Sequence, residues 1–239
     1  MAGSLEGRTA LITGSGSGMG RSHARLMAER GASVIVHDVD AEGANQTADM
    51  LREVGTMATV MVADIRDVPG FGAALRVAED EGGAVEILVN NAGVGGQGLA
   101  IEDIDEMTFD RMFEVHVKGS FFATQAVVPG MKERGYGKIV NISSNFAMGG
   151  AAFASHYAAA KSALSGFTKS WAREFAPYKI CVNAVAPGIL ETPMTLGSIG
   201  KERIDAMIKD IPLGRIAEPI DISYAVAWLA CPETDFMTG

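Results

Sequence analysis

The sequence predicts an α/β fold, a doubly wound parallel sheet in three layers, built as one domain. Three observations predict it. Short apolar segments alternate with segments of helical period along the chain. The first apolar segment stops at a cluster of glycines, Gly14, Gly16, Gly18 and Gly20. No low-complexity linker and no internal repeat divides the 239 residues, a length that suits one domain with a sizeable core.

Each element follows from its local pattern. Thr9–Thr13 is a buried strand, Met19–Arg30 a helix that Gly31 stops, and Ser33–His37 a second strand. Ala41–Val54 is helical, Thr59–Ala63 a third strand, Pro69–Glu81 a weaker helix and Glu86–Asn90 a fourth strand. Thr108–Arg134 carries one long helical pattern that Pro129 should kink or end. Lys138–Ile142 is a fifth strand, Ser155–Phe175 a helix and Ile180–Val185 a sixth strand. Strict alternation means parallel strands joined by right-handed crossovers, with helices on both faces. Such a sheet takes its ligand beyond the carboxyl ends of its strands.

Composition excludes some functions. Hydrophobic residues make up 48% and charged residues 21%, as in a globular chain. The net charge of −9, with no run of Lys or Arg, argues against nucleic acid. Cys181 and Cys231 stand far apart, with neither CxxC spacing nor a disulfide framework, and fit structural thiols in a reducing compartment. No stretch is long and apolar enough to span a bilayer, and Met1 to Arg8 lacks the apolar core of a signal peptide. The expected location is cytoplasmic, without a membrane partner. His23 and His37 show no metal-ligand spacing, so no metal is expected.

The glycine cluster reads Thr13-Gly14-Ser15-Gly16-Ser17-Gly18-Met19-Gly20 and lies between a strand and a helix. Glycines there let the backbone approach a pyrophosphate, and the following helix N-terminus favours the anion. Gly14, Gly18 and Gly20 have the spacing G-x-x-x-G-x-G rather than G-x-G-x-x-G, and a structural turn is the alternative. Asp38 ends the second strand, 20 residues after Gly18. A carboxylate there accepts from the ribose hydroxyls of NAD and repels the extra phosphate of NADP. Val39 follows it, so no Arg stands beside the acid, although Arg21 is a counter-argument. A solvated acid at a turn is the alternative.

Tyr157 and Lys161 are four apart in a helical pattern and share a helix face, while Ser144 lies just past the fifth strand. Carbonyl reduction needs a proton donor at the oxygen, and the reverse reaction needs a base. Tyrosine, with a pKa of about 10, is a poor base until a cation stabilises its phenolate. An ammonium about 4 Å away at an effective dielectric near 20 contributes roughly 4 kcal/mol, close to a thousandfold in ionisation. Ser144 can hold the substrate oxygen.

With these residues the sequence resembles the single-domain short-chain dehydrogenase/reductase family, of Rossmann-type fold, and is similar to its 3-oxoacyl reductases. The resemblance spans nearly the whole chain through Thr13–Gly20, Asp64, Asn90-Asn91-Ala92-Gly93, Ser144, Tyr157-x-x-x-Lys161, and Pro187-Gly188 with Thr192. It implies cofactor contacts from Gly14, Ser17, Gly18, Met19 and Gly20 of the loop, and from Asp38. Asp64 would meet the adenine, Asn91 and Gly93 would flank the cofactor, and Ile189 and Thr192 would contact the nicotinamide end. Ile65, Pro187 and Gly188 would also bind the cofactor. Tyr157 would be the acid/base. Lys161 would bind ribose and lower the tyrosine pKa.

Two departures stand out. The family usually has Asn in the helix after the fourth strand, completing a tetrad that holds a relay water. This chain has His116, as do the peroxisomal (3R)-hydroxyacyl-CoA dehydrogenases that it resembles there. The expectation is that His116 lies near Lys161, holds the relay water, stays neutral, and gives activity an acidic limb. A structural helix residue is the alternative. The chain also ends at Thr238-Gly239 where relatives continue into a last strand that supports a dimer, so truncation is one reading. His156 points about 100° away from Tyr157, toward a rim, a substrate pocket, or simply core or surface.

Residues 190–212 should form a substrate lid, with Met194, Leu196, Ile199, Met207 and Ile208 as apolar cover and Gly197 and Gly200 as flexible points. Lys201 and Arg203 on it would meet an anion. Phe146, Met148 and Phe153 are expected as pocket wall. The expected substrate is a secondary alcohol or ketone with an apolar part, whether a 3-oxoacyl thioester, a cyclic alcohol or a steroid-like ketone. A silent dinucleotide sensor is disfavoured by intact Ser144, Tyr157 and Lys161. Nucleotide-sugar epimerase or dehydratase chemistry is disfavoured by the short chain. The broadly apolar helices around Tyr157 and over Thr108–Met131 predict a homo-oligomer, a dimer or homotetramer.

Overall fold

The structure is a computed structural model that describes residues 4–95, 98–190, 206, 208, 209 and 211–239. The strands are β1 (Thr9–Thr13), β2 (Ser33–Asp38), β3 (Ala58–Val62), β4 (Ile87–Asn90), β5 (Gly137–Ile142) and β6 (Ile180–Val185). All pair in parallel, in the order β3-β2-β1-β4-β5-β6. The helices are α1 (Gly18–Glu29), α2 (Ala41–Glu53), α3 (Val68–Gly82), α4 (Glu106–Phe113), α5 (Ser120–Arg134), α6 (Phe146–Gly149), α7 (Ser155–Phe175) and α8 (Pro219–Leu229).

Period-two alternation splits the strand residues between two cores. Ala10, Ile12, Val34, Val36, Val89 and Val140 face Met27 of α1, Leu51 of α2 and Val226 of α8. Leu11, Ile35, Met61, Leu88, Ile139 and Val182 face Leu75 of α3, Met131 of α5, and Trp171 and Phe175 of α7. The predicted doubly wound sheet in three layers is therefore observed. The sheet winds outward from β1 and β4, which are neighbours, and the crevice opens where their connections diverge.

One helical expectation needs correction, and two helices are additional. The long segment is helical from Glu106, and its break is one π-helical turn at Glu114–Gly119 rather than Pro129. Pro129 sits inside α5 on the exposed face with Gln125, so water can take the carbonyl that proline cannot pair. Helix α8 had no predicted counterpart. Its residues are apolar on most faces, so no period marks them, and it packs on α1 with Ser223 Oγ 2.8 Å from His23 Nδ1. The four-residue α6 is also additional.

A buried polar chain ties helices α5 and α7 to the sheet. Asn90 Nδ2 donates to Asn141 Oδ1 at 2.8 Å and to Thr124 Oγ1 at 3.0 Å, and Asn141 Nδ2 donates to Thr168 Oγ1 at 2.9 Å. Every link is buried and so strongly specified. At the other end of β6, Gly239 N–H donates to Val182 O at 2.8 Å, so the last residues lie against that strand.

Candidate active site

The cleft at the sheet's carboxyl edge encloses about 410 Å³ and runs from the glycine loop past Asp38 and Asp64 to Gly93 and Val94. It forms because two loops meet at the switch point. Gly14 has φ +67°, and a Cβ on it would stand 2.8 Å from Ala92 Cα. Asn91 staples the loops, with Nδ2 donating to Thr13 O at 2.8 Å and to Gly14 O at 3.0 Å. Its Oδ1 is buried and has no hydrogen-bond partner among the described residues.

Helix α1 presents an anion site. Asp40, Asp67 and Asp105 cap α2, α3 and α4, whereas Ser17 makes no side-chain cap on α1. Its first N–H groups thus keep their capacity for an anion, and Gly14, Ser17, Gly18, Met19 and Gly20 all line the cleft. Asp38 is held rigidly, its Oδ2 accepting from Gly16 N–H at 2.8 Å and its Oδ1 from Asp40 N–H at 3.1 Å. Arg21 is already engaged. Its guanidinium bonds Thr47 Oγ1 of α2 at 2.8 Å and the carbonyl of Gly16, the loop residue whose N–H holds Asp38. Ile65 and Asp64 line the far end, where Arg66 pairs with Asp64. An uncapped helix start, a fixed carboxylate and an orphaned amide oxygen fit a dinucleotide.

The other predicted residues converge at the opposite end. Lys161 is buried, its Nζ 2.7 Å from Ile142 O and 5.8 Å from the Tyr157 ring centroid. Burial pushes its pKa down from 10.5 to about 7. The Tyr157 ring lies between His116 and Phe146, with centroids 5.6 and 6.2 Å away, both edge-on. Ser144 Oγ accepts from Phe146 N–H at 3.2 Å and donates to Asn145 Oδ1 at 3.3 Å. Ser143 Oγ donates to the Lys161 carbonyl at 3.0 Å, locking the β5 loop to α7.

His116 sits in the π-turn, buried, with Nε2 beside the backbone of Val94. A Cβ on Gly93 would be 2.5 Å from its Cε1, so the ring packs directly on that glycine. Burial first, and the nearby Lys161 second, push its pKa from 6.5 to about 3. The neutral state expected from sequence agrees with this. The expected acidic limb does not, because it moves to a pH far below working conditions.

Beyond Tyr157 a pocket of about 450 Å³ is walled by Phe146, Ile189, Ile211, Leu213 and Ala217, with Gly188 and Asn145. Its charged members neutralise one another, Arg215 and Asp221 bonding at 2.6 and 2.9 Å. Pro187 O accepts from Asn145 N–H at 2.9 Å and joins the β5 and β6 loops. Of the expected wall residues only Phe146 takes part. Met148 and Phe153 are exposed instead, since α6 turns Met148 to solvent and Phe153 adopts φ +62° in the turn before α7. His156 is buried on another face of α7, in an apolar cavity with Ile104 and Phe109 and away from the cleft. Thr192, Met194, Leu196, Gly197, Ile199, Gly200, Lys201, Arg203 and Met207 lie outside the described residues.

The family model for short chain dehydrogenases matches residues 8–202. The chain belongs to that family. A curated relative of this short chain dehydrogenase, the 3-oxoacyl-[acyl-carrier-protein] reductase FabG of Vibrio cholerae, is 40% identical over 235 residues, which cover 98% of this chain and 94% of the relative. A 3-ketoacyl-(acyl-carrier-protein) reductase from Brucella melitensis complexed with NADH has TM-score 0.92 and 35% identity, covering 98% of this chain and 95% of its own. A gluconate 5-dehydrogenase from Burkholderia cenocepacia in complex with NADP and tartrate has TM-score 0.93 and 34% identity, covering 98% and 92%. Solved neighbours of this short chain dehydrogenase thus hold either nicotinamide cofactor.

Some site residues escaped the sequence reading. Arg66 and Arg111 line the cleft, and Thr13 Oγ1 accepts from the N–H groups of Asn91 and Ala92 at 3.0 Å each. Arg66 had a signal, lying two residues past Asp64 in a turn. Val94 had none, because its contribution is main-chain.

Proposed function

We propose that this short chain dehydrogenase interconverts a secondary alcohol and a ketone using NAD, with Tyr157 as acid/base. The observation that carries the cofactor choice is Asp38, fixed by two backbone N–H donors while Arg21 is engaged between α1 and α2. A 2′-phosphate would meet an immobile anion there, while Arg21 and Arg66 are already bonded to other partners. Gly14 to Gly20 and the start of α1 would hold the pyrophosphate, and Asn91, Gly93, Pro187, Gly188, Ile189 and Thr192 the nicotinamide half. The cofactor supplies or accepts the hydride when bound.

The chain's own residues handle the proton and the oxygen. Ser144 exchanges its bond to Asn145 for one to the substrate oxygen. Tyr157 gives its proton to that oxygen in reduction and takes it back in oxidation. Lys161, anchored on Ile142 O with Nζ 5.8 Å from the ring centroid, favours the phenolate in its protonated form, which burial confines to lower pH than for a free lysine. His116 holds the strand-four loop and so the wall facing Tyr157. The apolar pocket around Phe146 and Ile189 supports a substrate with an apolar part, including a 3-hydroxyacyl thioester. The test is a screen of alcohols and acyl-CoA thioesters with NAD and NADP, following reduced-nicotinamide absorbance. Turnover confined to NADP, or none at all, rejects the proposal.

The same reading treats 1–239 as one catalytic domain with 190–212 as lid, located in the cytoplasm. It also makes the protein a homo-oligomer, dimer or tetramer, because Met107, Phe109 and Phe121 of α4 and α5 are exposed.

A further inference from the structure

We propose that Arg66 recognises the adenine end of the dinucleotide by laying its guanidinium plane against the base; this rests on the dinucleotide reading above. The geometry first locates the base. The start of α1 takes the pyrophosphate, and Asp38 at the end of β2 meets the ribose. A base on that ribose lies beyond Asp38, away from the pyrophosphate. β3 is the strand next to β2 on that side, and the residues leaving it, Ala63 to Arg66, wall that end of the cleft.

Arg66 is held there by its edges. Its Nε lies 3.0 Å from both oxygens of Asp64, its Nη2 2.7 Å from Oδ2, and its own backbone N–H donates to Oδ1 at 2.9 Å. Nη1 faces Glu114 Oε2 at 3.9 Å, where the π-turn begins. Three N–H groups thus crowd the two oxygens of Asp64, leaving it at most one in-plane lone pair for an exocyclic amine. Bonding along the Nε–Nη2 edge fixes the guanidinium in the plane of the carboxylate and engages neither of its faces. The side chain is 44% exposed, in the cleft wall. A planar cation fixed at its rim is shaped to cover a flat π system, and its ion pair adds no net charge.

The test titrates ADP-ribose, which cannot turn over, into the wild-type chain, Arg66→Ala and Arg66→Lys by calorimetry. Both variants are expected to bind roughly 3- to 30-fold more weakly, the range of a guanidinium–ring contact, because lysine keeps the charge but not the plane. Unchanged affinity in Arg66→Ala overturns the proposal. So does tighter binding, which would mean that the guanidinium competes with the base for Asp64, and so does wild-type affinity in Arg66→Lys. A wild-type chain that binds neither ADP-ribose nor NAD defeats the dinucleotide reading itself, a result distinct from normal wild-type binding with indifferent variants.

Discussion

His116 Nε2 lies 3.1 Å from the amide nitrogen of Val94 and 3.0 Å from its carbonyl oxygen. One ring nitrogen cannot accept from the first and donate to the second at once. A neutral imidazole must choose a tautomer, and each choice leaves Nδ1, which is buried without a described partner, in the opposite role. With Lys161 close by and the pKa down to about 3, the ring stays neutral across the working range. The pH–rate profile of wild type should therefore lack a His116 limb between pH 5 and 9 and should match that of His116→Asn. His116→Ala should lose about 1–3 kcal/mol of stability, the cost of leaving buried backbone groups unpaired. A limb in wild type that His116→Asn abolishes would contradict this.

Tyr157→Phe keeps the ring that packs against His116 and Phe146 and removes only the hydroxyl. Turnover should fall by roughly 10²- to 10⁴-fold, the usual contribution of a positioned acid/base. NAD affinity by calorimetry should stay within about threefold, a change under 1 kcal/mol. Near-normal turnover would remove Tyr157 from its proposed role.

Asp38→Ala combined with Val39→Arg should reverse cofactor preference. It removes the fixed anion and places a cation at an exposed neighbouring position. The ratio of kcat/KM for NAD to that for NADP should change by about 100-fold or more, since juxtaposing like charges costs several kcal/mol. An unchanged ratio would show that discrimination lies elsewhere.

Lys161 predicts a stability profile. Its pKa is 10.5 in an ordinary setting and about 7 in the fold. Above the first value the side chain is neutral in both states. As pH falls from about 10.5 to 7 the unfolded chain takes up a proton that the folded chain refuses, so stability declines, and below 7 the deficit is constant. Lys161→Met should thus be more stable than wild type at pH 6.5, on the order of a few kcal/mol, with the gap closing toward pH 10. Urea unfolding at several pH values measures it. A gap that does not vary with pH would refute the assignment.

The exposed apolar residues of α4 and α5 should be covered in solution. Light scattering at micromolar concentration should report a dimer or tetramer, and Phe109→Asp with Phe121→Asp should dissociate it. A wild-type monomer would reject this.

The six strands were legible because each is a short apolar run closed by a turn residue, and parallel order followed from the alternating helices. The placement of Tyr157 beside Lys161, of Ser144 just past β5 and of Asp38 at the end of β2 was legible because helix period and strand ends fix where side chains stand. The π-turn was not, since Glu114–Gly119 differs from an α-helical turn only in main-chain pairing, which leaves no mark on side-chain period. Neither was the role of Val94, whose bonds belong to its backbone. The placement of Met148 and Phe153 failed because apolarity near a site says nothing about which way a loop turns.

The contact between Gly93 and His116 ties two distant parts of the chain into one steric unit. With imidazole at 116, a Cβ at 93 would stand 2.5 Å from Cε1, so any side chain there obliges the ring to shift. The ring in turn is held by the backbone of Val94, next to that glycine. The loop after β4 and the π-turn therefore move together or not at all, and a disturbance at either reaches the ring of Tyr157 through His116.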